Sequence, residues 1–178
     1  MKLKDITLIE FTELDDKTRY VYASKYSRYL NEPEDLFNIG DITKLSFGTV
    51  KDLQYTFPNV VGIYELLNFV SEFKNISPKK LGQYSFFSWC RFRRFIEVGL
   101  ETITTLELNL AYETSMEDES DGINSLSKFG VMIQIDKLAL GDIRRYDEIR
   151  NMPYDTCFTK LLMDKEIEEY KQSLIKRK

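Results

Sequence analysis

Three arginines set among aromatic rings are the residues whose types and spacing most invite chemistry in this chain. They lie in Phe86-Phe87-Ser88-Trp89-Cys90-Arg91-Phe92-Arg93-Arg94-Phe95-Ile96. Guanidinium groups beside rings can grip an acidic protein surface, or follow a phosphate backbone while the rings stack on bases. On a helical wheel these aromatics point in nearly every direction, so a helix built from them must be covered on several sides. Either it is the central helix of the domain, or part of it meets another chain. The candidate contact residues here are Phe87, Trp89, Arg91, Phe92, Arg93, Arg94 and Phe95. Glu97 follows Arg93 and Arg94 at helical pairing distance, so the chain also offers its own partner for these charges.

Most other catalytic chemistry is excluded by composition. The 178 residues contain no histidine, which removes the usual general acid/base near neutral pH and the commonest metal ligand. A Ser/His or Cys/His nucleophile pair is therefore impossible. Cys90 and Cys157 form no CxxC pair, and both read as buried free thiols of a reducing compartment. Two separated cysteines cannot build a structural zinc site. Neither a P-loop nor a dinucleotide fingerprint is present. Carboxylates remain, densest in Glu117-Asp118-Glu119-Ser120-Asp121-Gly122. Aligning Gly122 with the invariant glycine of a calcium loop puts Lys128 where a bidentate glutamate is required, so the run reads as a solvated loop. The chain is expected to be no enzyme and to hold no metal or cofactor.

The elements that would position the arginines are helical. Hydrophobic residues make up 43% and charged residues 30%, enough for a packed core. With 12 Phe, 11 Tyr and 1 Trp, that core fills its volume with large rings. Residues 3–14 fit either a strand or a short helix. Asp15-Asp16 offers an N-cap for Lys17–Leu30, and Ser46 one for Phe47–Tyr55. From Val60 to Phe73, Val60, Ile63, Tyr64, Leu67, Val70 and Phe73 recur at helical spacing. Ser77-Pro78 starts a pattern running from Lys79 to about Tyr112, which Gly99 could kink or divide. Ile103–Leu108, β-branched and alternating, leaves a strand open there. Leu126–Leu140, Ile143–Asn151 and Tyr154 to about Arg177 complete the helices, the last opened by Pro153. Gly40-Asp41-Ile42 is echoed by Gly141-Asp142-Ile143, which shared helix-entry chemistry or chance explains more economically than duplication.

The fold expected is therefore mainly α: a compact multi-helix domain with a long C-terminal helix, with a minor β element conceivable near the N-terminus or around 103–110. Residues 1–112 form its helical core, 113–122 an acidic loop, and 123–178 a C-terminal helical segment packed on the same domain. The net charge of −4 and a pI near 5.1 argue against duplex nucleic acid as the main ligand. Asp5 and Glu10 break the apolar run a signal peptide needs. The stretch Val60–Val70 is interrupted by Glu65 and too short to span a bilayer. A protein soluble in the cytoplasm and free of the membrane is expected.

Two segments resemble small virion or tail-assembly proteins of tailed bacteriophages, those of crAss-like phages among them. One is Leu45-Ser46-Phe47-Gly48-Thr49-Val50-Lys51-Asp52-Leu53-Gln54. The other is Leu138-Ala139-Leu140-Gly141-Asp142-Ile143, continuing through Glu148-Ile149-Arg150-Asn151-Met152-Pro153-Tyr154 to Phe158 and Leu161-Leu162. The resemblance covers about a third of the chain, contains no catalytic signature and supplies no functional residues. It implies a non-enzymatic helical protein that works by assembling with other phage proteins, made in the host cytoplasm and built into or onto the virion.

The residues fit the same kind of function. The last helix offers Phe158, Leu161, Leu162, Tyr170 and Leu174 as anchors for a partner protein or a second copy. The competing expectation is a small nucleic-acid-associated or regulatory protein acting through Arg91, Arg93 and Arg94. A carboxylate enzyme ranks last, because nothing in the sequence brings two acids together.

Overall fold

An α-helix begins with backbone N–H groups that no residue of its own first turn can bond, and four helices here begin by sharing that problem in pairs. The computed structural model describes residues 6–26, 32–60, 62–108, 110 and 129–176. Its helices are α1 (Leu8–Glu13), α2 (Asp16–Tyr26), α3 (Phe47–Thr56), α4 (Ile63–Lys74), α5 (Pro78–Leu81), α6 (Phe86–Leu108), α7 (Val131–Ala139), α8 (Tyr146–Asn151) and α9 (Tyr154–Lys176). Three-residue 3₁₀ turns at Ile42–Lys44, Phe57–Asn59 and Ile143–Arg145 connect some of them. The chain is mainly α, as expected, with a long C-terminal helix. The described part of 103–110 is helical through Leu108, and the possible β element near the N-terminus is a single antiparallel bridge.

The chain divides into two compact units, residues 1–40 with 55–100, and residues 41–54 with 101–178. The early stretch 41–54 groups with the C-terminal helices. Helix α6 belongs to the first unit up to Leu100 and to the second from Glu101. The acidic loop 113–122 lies outside the described residues.

In the first unit, α1 and α6 start against each other. The amide of Leu8 donates to the carbonyl of Tyr84 at 2.9 Å, and that of Phe86 donates to the carbonyl of Ile6 at 2.8 Å. These reciprocal bonds form the bridge between the two cap residues, Thr7 and Ser85. Each cap also bonds within its own helix. Thr7 closes a capping box with Glu10, and the Ser85 hydroxyl accepts from the Ser88 amide at 3.0 Å. The first helical residues, Leu8 and Phe86, are buried.

The second unit repeats the device with α3 and α9. The amide of Phe47 donates to Met152 at 2.7 Å and that of Tyr154 to Leu45 at 2.8 Å, bridging Ser46 and Pro153. Phe47 and Tyr154 are both buried, and their rings stack at 5.9 Å. All four starts share one local pattern: an apolar residue, then Thr, Ser or Pro, then a buried Leu, Phe or Tyr.

Several helix boundaries follow the sequence. Asp15 caps α2 by accepting from the Thr18 amide at 3.0 Å, and Ser46 caps α3 by accepting from Thr49 at 3.3 Å. The Gly-Asp-Ile echo is shared entry chemistry. Gly40 and Gly141 both take positive φ, +77° and +78°, a region glycine enters without a Cβ clash. Asp41 and Asp142 then each cap a 3₁₀ turn, accepting from Thr43 at 2.9 Å and Arg144 at 3.1 Å.

Others need correction. The single helix expected from Lys79 is broken at 82–85, where the chain leaves α5 to make the first bridge. Gly82 stands where α1 comes close: an added Cβ would lie 2.7 Å from Cγ1 of Ile9. Gly99 does not divide α6, which continues through it. Ser77 makes no side-chain cap, and its carbonyl instead accepts from Lys80 and Leu81. The buried face of α4 is set by Leu66 and Val70, while Tyr64 is exposed.

Removing either capping hydroxyl of the first bridge leaves an N-terminal amide unsatisfied. Thr7→Ala and Ser85→Ala are each expected to lower stability by about 1 kcal/mol, read from urea unfolding midpoints.

Candidate interaction surfaces

The arginine-aromatic segment occupies the first half of α6, and its rings are covered by its own unit. Trp89 and Phe92 are buried, at 0% and 1% exposure. Phe37 packs edge-on against Phe92 at 4.8 Å and tilts against Trp89 at 5.6 Å. The Trp89 indole N–H donates to the carbonyl of Leu81 at 3.2 Å, so its polar edge is satisfied. Phe86 stacks on Phe11 at 3.8 Å and meets Tyr22 edge-on. These contacts answer the demand that the helix be covered on several sides. Phe87 and Phe95 are half-buried.

The three arginines are held by carboxylates of the same chain. Arg91 pairs with Glu34 at 2.9 Å, and its Nε donates to the carbonyl of Glu32 at 2.9 Å. Arg93 pairs with Glu97 at 3.0 Å and lies over the Phe57 ring at 5.9 Å. Arg94 reaches the other oxygen of Glu97 at 3.5 Å. Each guanidinium thus has a carboxylate of its own unit in reach, Arg93 and Arg94 sharing Glu97, which reduces the charge open to a phosphate backbone. The sequence anticipated the Glu97 pairing, but not that of Arg91, whose partners lie some sixty residues earlier.

In the second unit the predicted residues of α9 fall on different faces. Leu161 is buried, Phe158 and Leu162 are half-buried, and Phe158 stacks on Tyr154 at 5.9 Å. Tyr170 and Leu174 are exposed, at 65% and 44%. Met163 and Ile167, which the sequence reading passed over, are exposed too, at 55% and 48%. Close to the inner face is a shallow recess of about 130 Å³ lined by Leu110, Ile133, Gln134, Lys137, Leu161 and Lys165. Its two lysines pair with Glu168 and Glu169.

One polar cluster has no counterpart in the sequence reading. Glu107, near the end of α6, accepts from Lys51 at 2.5 Å, from the Tyr154 hydroxyl at 2.6 Å and from Gln54 at 3.0 Å. The Lys51 ammonium also lies within 6 Å of the Phe47 and Tyr154 rings. Burial pushes the Glu107 carboxyl up, but the three donors and the Lys51 charge outweigh it and hold it below the usual carboxylate range. Burial and the bond to Glu107 together push the Tyr154 hydroxyl upward. Every member of the cluster has its partner, so it reads as a lock between α3, α6 and α9 rather than as a reactive site.

The thiols are poor nucleophiles. Burial pushes Cys90 up to about 11, against the opposing charge of Arg93, and Cys90 is half-buried rather than buried. Cys157 is buried, and burial followed by Asp155 raises it as well. Among the described residues, no group of three His, Cys, Asp or Glu side chains could hold a metal ion. No described helix is long and apolar enough to cross a membrane. Comparisons with protein-family models, with curated proteins and with solved structures find no match.

Two outcomes follow from this geometry. Trp89→Ala is expected to cost about 3–5 kcal/mol as a core truncation, whereas Arg94→Ala should cost less than about 1 kcal/mol, both by chemical denaturation. Because the Glu107 value is depressed on folding, its contribution is complete above the ordinary carboxylate range and is lost as pH falls through the lowered value. Glu107→Gln should therefore lower stability at neutral pH and flatten its decline on acidification, as measured by unfolding midpoints across a pH series.

Proposed function

We propose that this chain is a non-enzymatic structural or assembly component of a tailed-phage virion, acting through protein–protein contacts in the capsid or tail region. The observation that carries the protein-contact half is the apolar outer face of α9, where Met163, Ile167, Tyr170 and Leu174 stand exposed on one helix. Exposed apolar residues scattered singly need no explanation, but a contiguous stripe marks an interaction surface. The phage half rests on the resemblance of 45–54 and 138–162 to small virion and tail-assembly proteins.

The nucleic-acid alternative has lost its principal support. It needed Arg91, Arg93 and Arg94 to face a ligand, and each is engaged by a carboxylate of its own unit. Half-buried guanidiniums paired in this way stabilise their own helix and its neighbours, and present little free charge to a phosphate backbone.

The test is assembly with phage particles. The tagged chain, expressed during infection by the phage that encodes it, is expected to co-sediment with particles or tail intermediates, and to crosslink to virion proteins through α9. A chain that stays free of particles, and of every tail and capsid protein, overturns the proposal.

A further inference from the structure

Four of the five large exposed apolar residues of α9 have a regular spacing, and Ile175, the fifth, lies off it. Met163, Ile167, Tyr170 and Leu174 follow one another at intervals of four, three and four, the seam spacing of a coiled coil. At ~100° per residue they fall within one narrow stripe. Tyr154, Cys157 and Leu161, the buried residues of the same helix, lie on the roughly opposite side. The first turns of the helix thus place their apolar residues against their own unit, whereas from Glu166 to Ile175 every residue but Ser173 is exposed and the apolar stripe there is bare.

We infer that the outer face of α9 is a self-association surface, on which a second copy of this chain packs its own α9. The inference rests on the assembly reading above and names its partner. Charge selects the occupant. In heptad terms Met163 and Tyr170 take the d positions and Ile167 and Leu174 the a positions, which leaves Asp164 and Lys171 at e and Glu166 and Ser173 at g. If the two helices run parallel, Glu166 of one copy faces Lys171 of the other. If they run antiparallel, Asp164 faces Lys171 and Glu166 faces Ser173. In either orientation Lys171 meets an acid, which in the antiparallel case is Asp164, already paired with Lys160 of its own helix, and none of these flanking pairs is like-charged.

Glu166 and Lys171 are both exposed, and neither is in an ion pair within the described residues. They are thus available to a partner. A seam of two heptads buries an area at the low end for specific interfaces, so the expected product is a reversible, concentration-dependent dimer related by a two-fold axis.

Sedimentation velocity of the full-length chain over a concentration series tests the inference. The wild-type chain is expected to pass from monomer to dimer as concentration rises. Ile167→Glu combined with Leu174→Glu should abolish the dimer while leaving helical circular dichroism and the urea midpoint near wild type. Lys171→Glu, which turns both symmetry-related attractions into repulsions, should weaken association ~3- to 30-fold. Because Lys171 is fully on the surface, this variant decides the matter even if the double variant loses helix.

A wild-type chain that is monomeric at every concentration overturns the inference. So does a dimer indifferent to both sets of substitutions. A monomer that still co-sediments with virion proteins overturns self-association alone and leaves the assembly reading intact.

Discussion

The orphaned amide at the start of a helix is the constraint on which this structure turns. A helix can satisfy its early N–H groups with water, with a side-chain cap or with another segment's carbonyl. Here the first helical amide of each of four helices takes a carbonyl from the residue just before the partner's cap, and returns the same favour. That exchange fixes two chain segments antiparallel for one residue each, and it needs the two helix starts to be in register. Where it occurs the first helical side chain is buried, and in the second unit the two rings stack as well. Four backbone bonds, two to each bridge, thus place the first buried side chain of four helices.

Burial of the arginine-rich half of α6 follows from the same placement. Once Phe86 is fixed by its bridge, Trp89 and Phe92 come round the helix onto a common side, where Phe37 meets both. The arginines lie between the rings, half-buried, where an unpaired guanidinium would be unfavourable. Glu34, Glu32 and Glu97 answer them. The segment that looked most like a binding surface is therefore spent on holding its own unit together. The proposed partner surface lies instead on the last helix, where Met163, Ile167, Tyr170 and Leu174 are exposed.

What the sequence made legible was local. Asp15, Ser46 and Pro153 mark their helix starts because cap chemistry acts over three or four residues. The break at 82–85 was hidden because the apolar period runs on across it, and only the distant carbonyl of Ile6 explains why the chain turns there. Gly99 misled because a glycine's helix penalty is small beside the packing on either side of it. In α9, Phe158 and Leu161 were grouped with Tyr170 and Leu174 as anchors, although a wheel sets them on different faces. Reading the period strictly would have found Met163 and Ile167. The Glu107 cluster had no local signal at all, since its members come from three helices spread over more than a hundred residues.

That cluster matters to the outer face because it fixes the root of the helix bearing it. Tyr154 is held by its bridge to Leu45, by stacking on Phe47 and by its hydroxyl on Glu107, while Lys44 pairs with Asp155 one residue on. Further along, Lys137 pairs with Glu168 of this helix, and Lys165 pairs with Glu169 within it. If α9 docks as proposed, its anchored base would leave little backbone entropy to lose on association. The proposed stripe would then need only a few large side chains, because association would have to order those side chains rather than the helix itself. The same reasoning explains why a polar cluster with every group satisfied belongs at this position. It specifies one orientation for the helix, whereas an apolar contact of the same size would tolerate several.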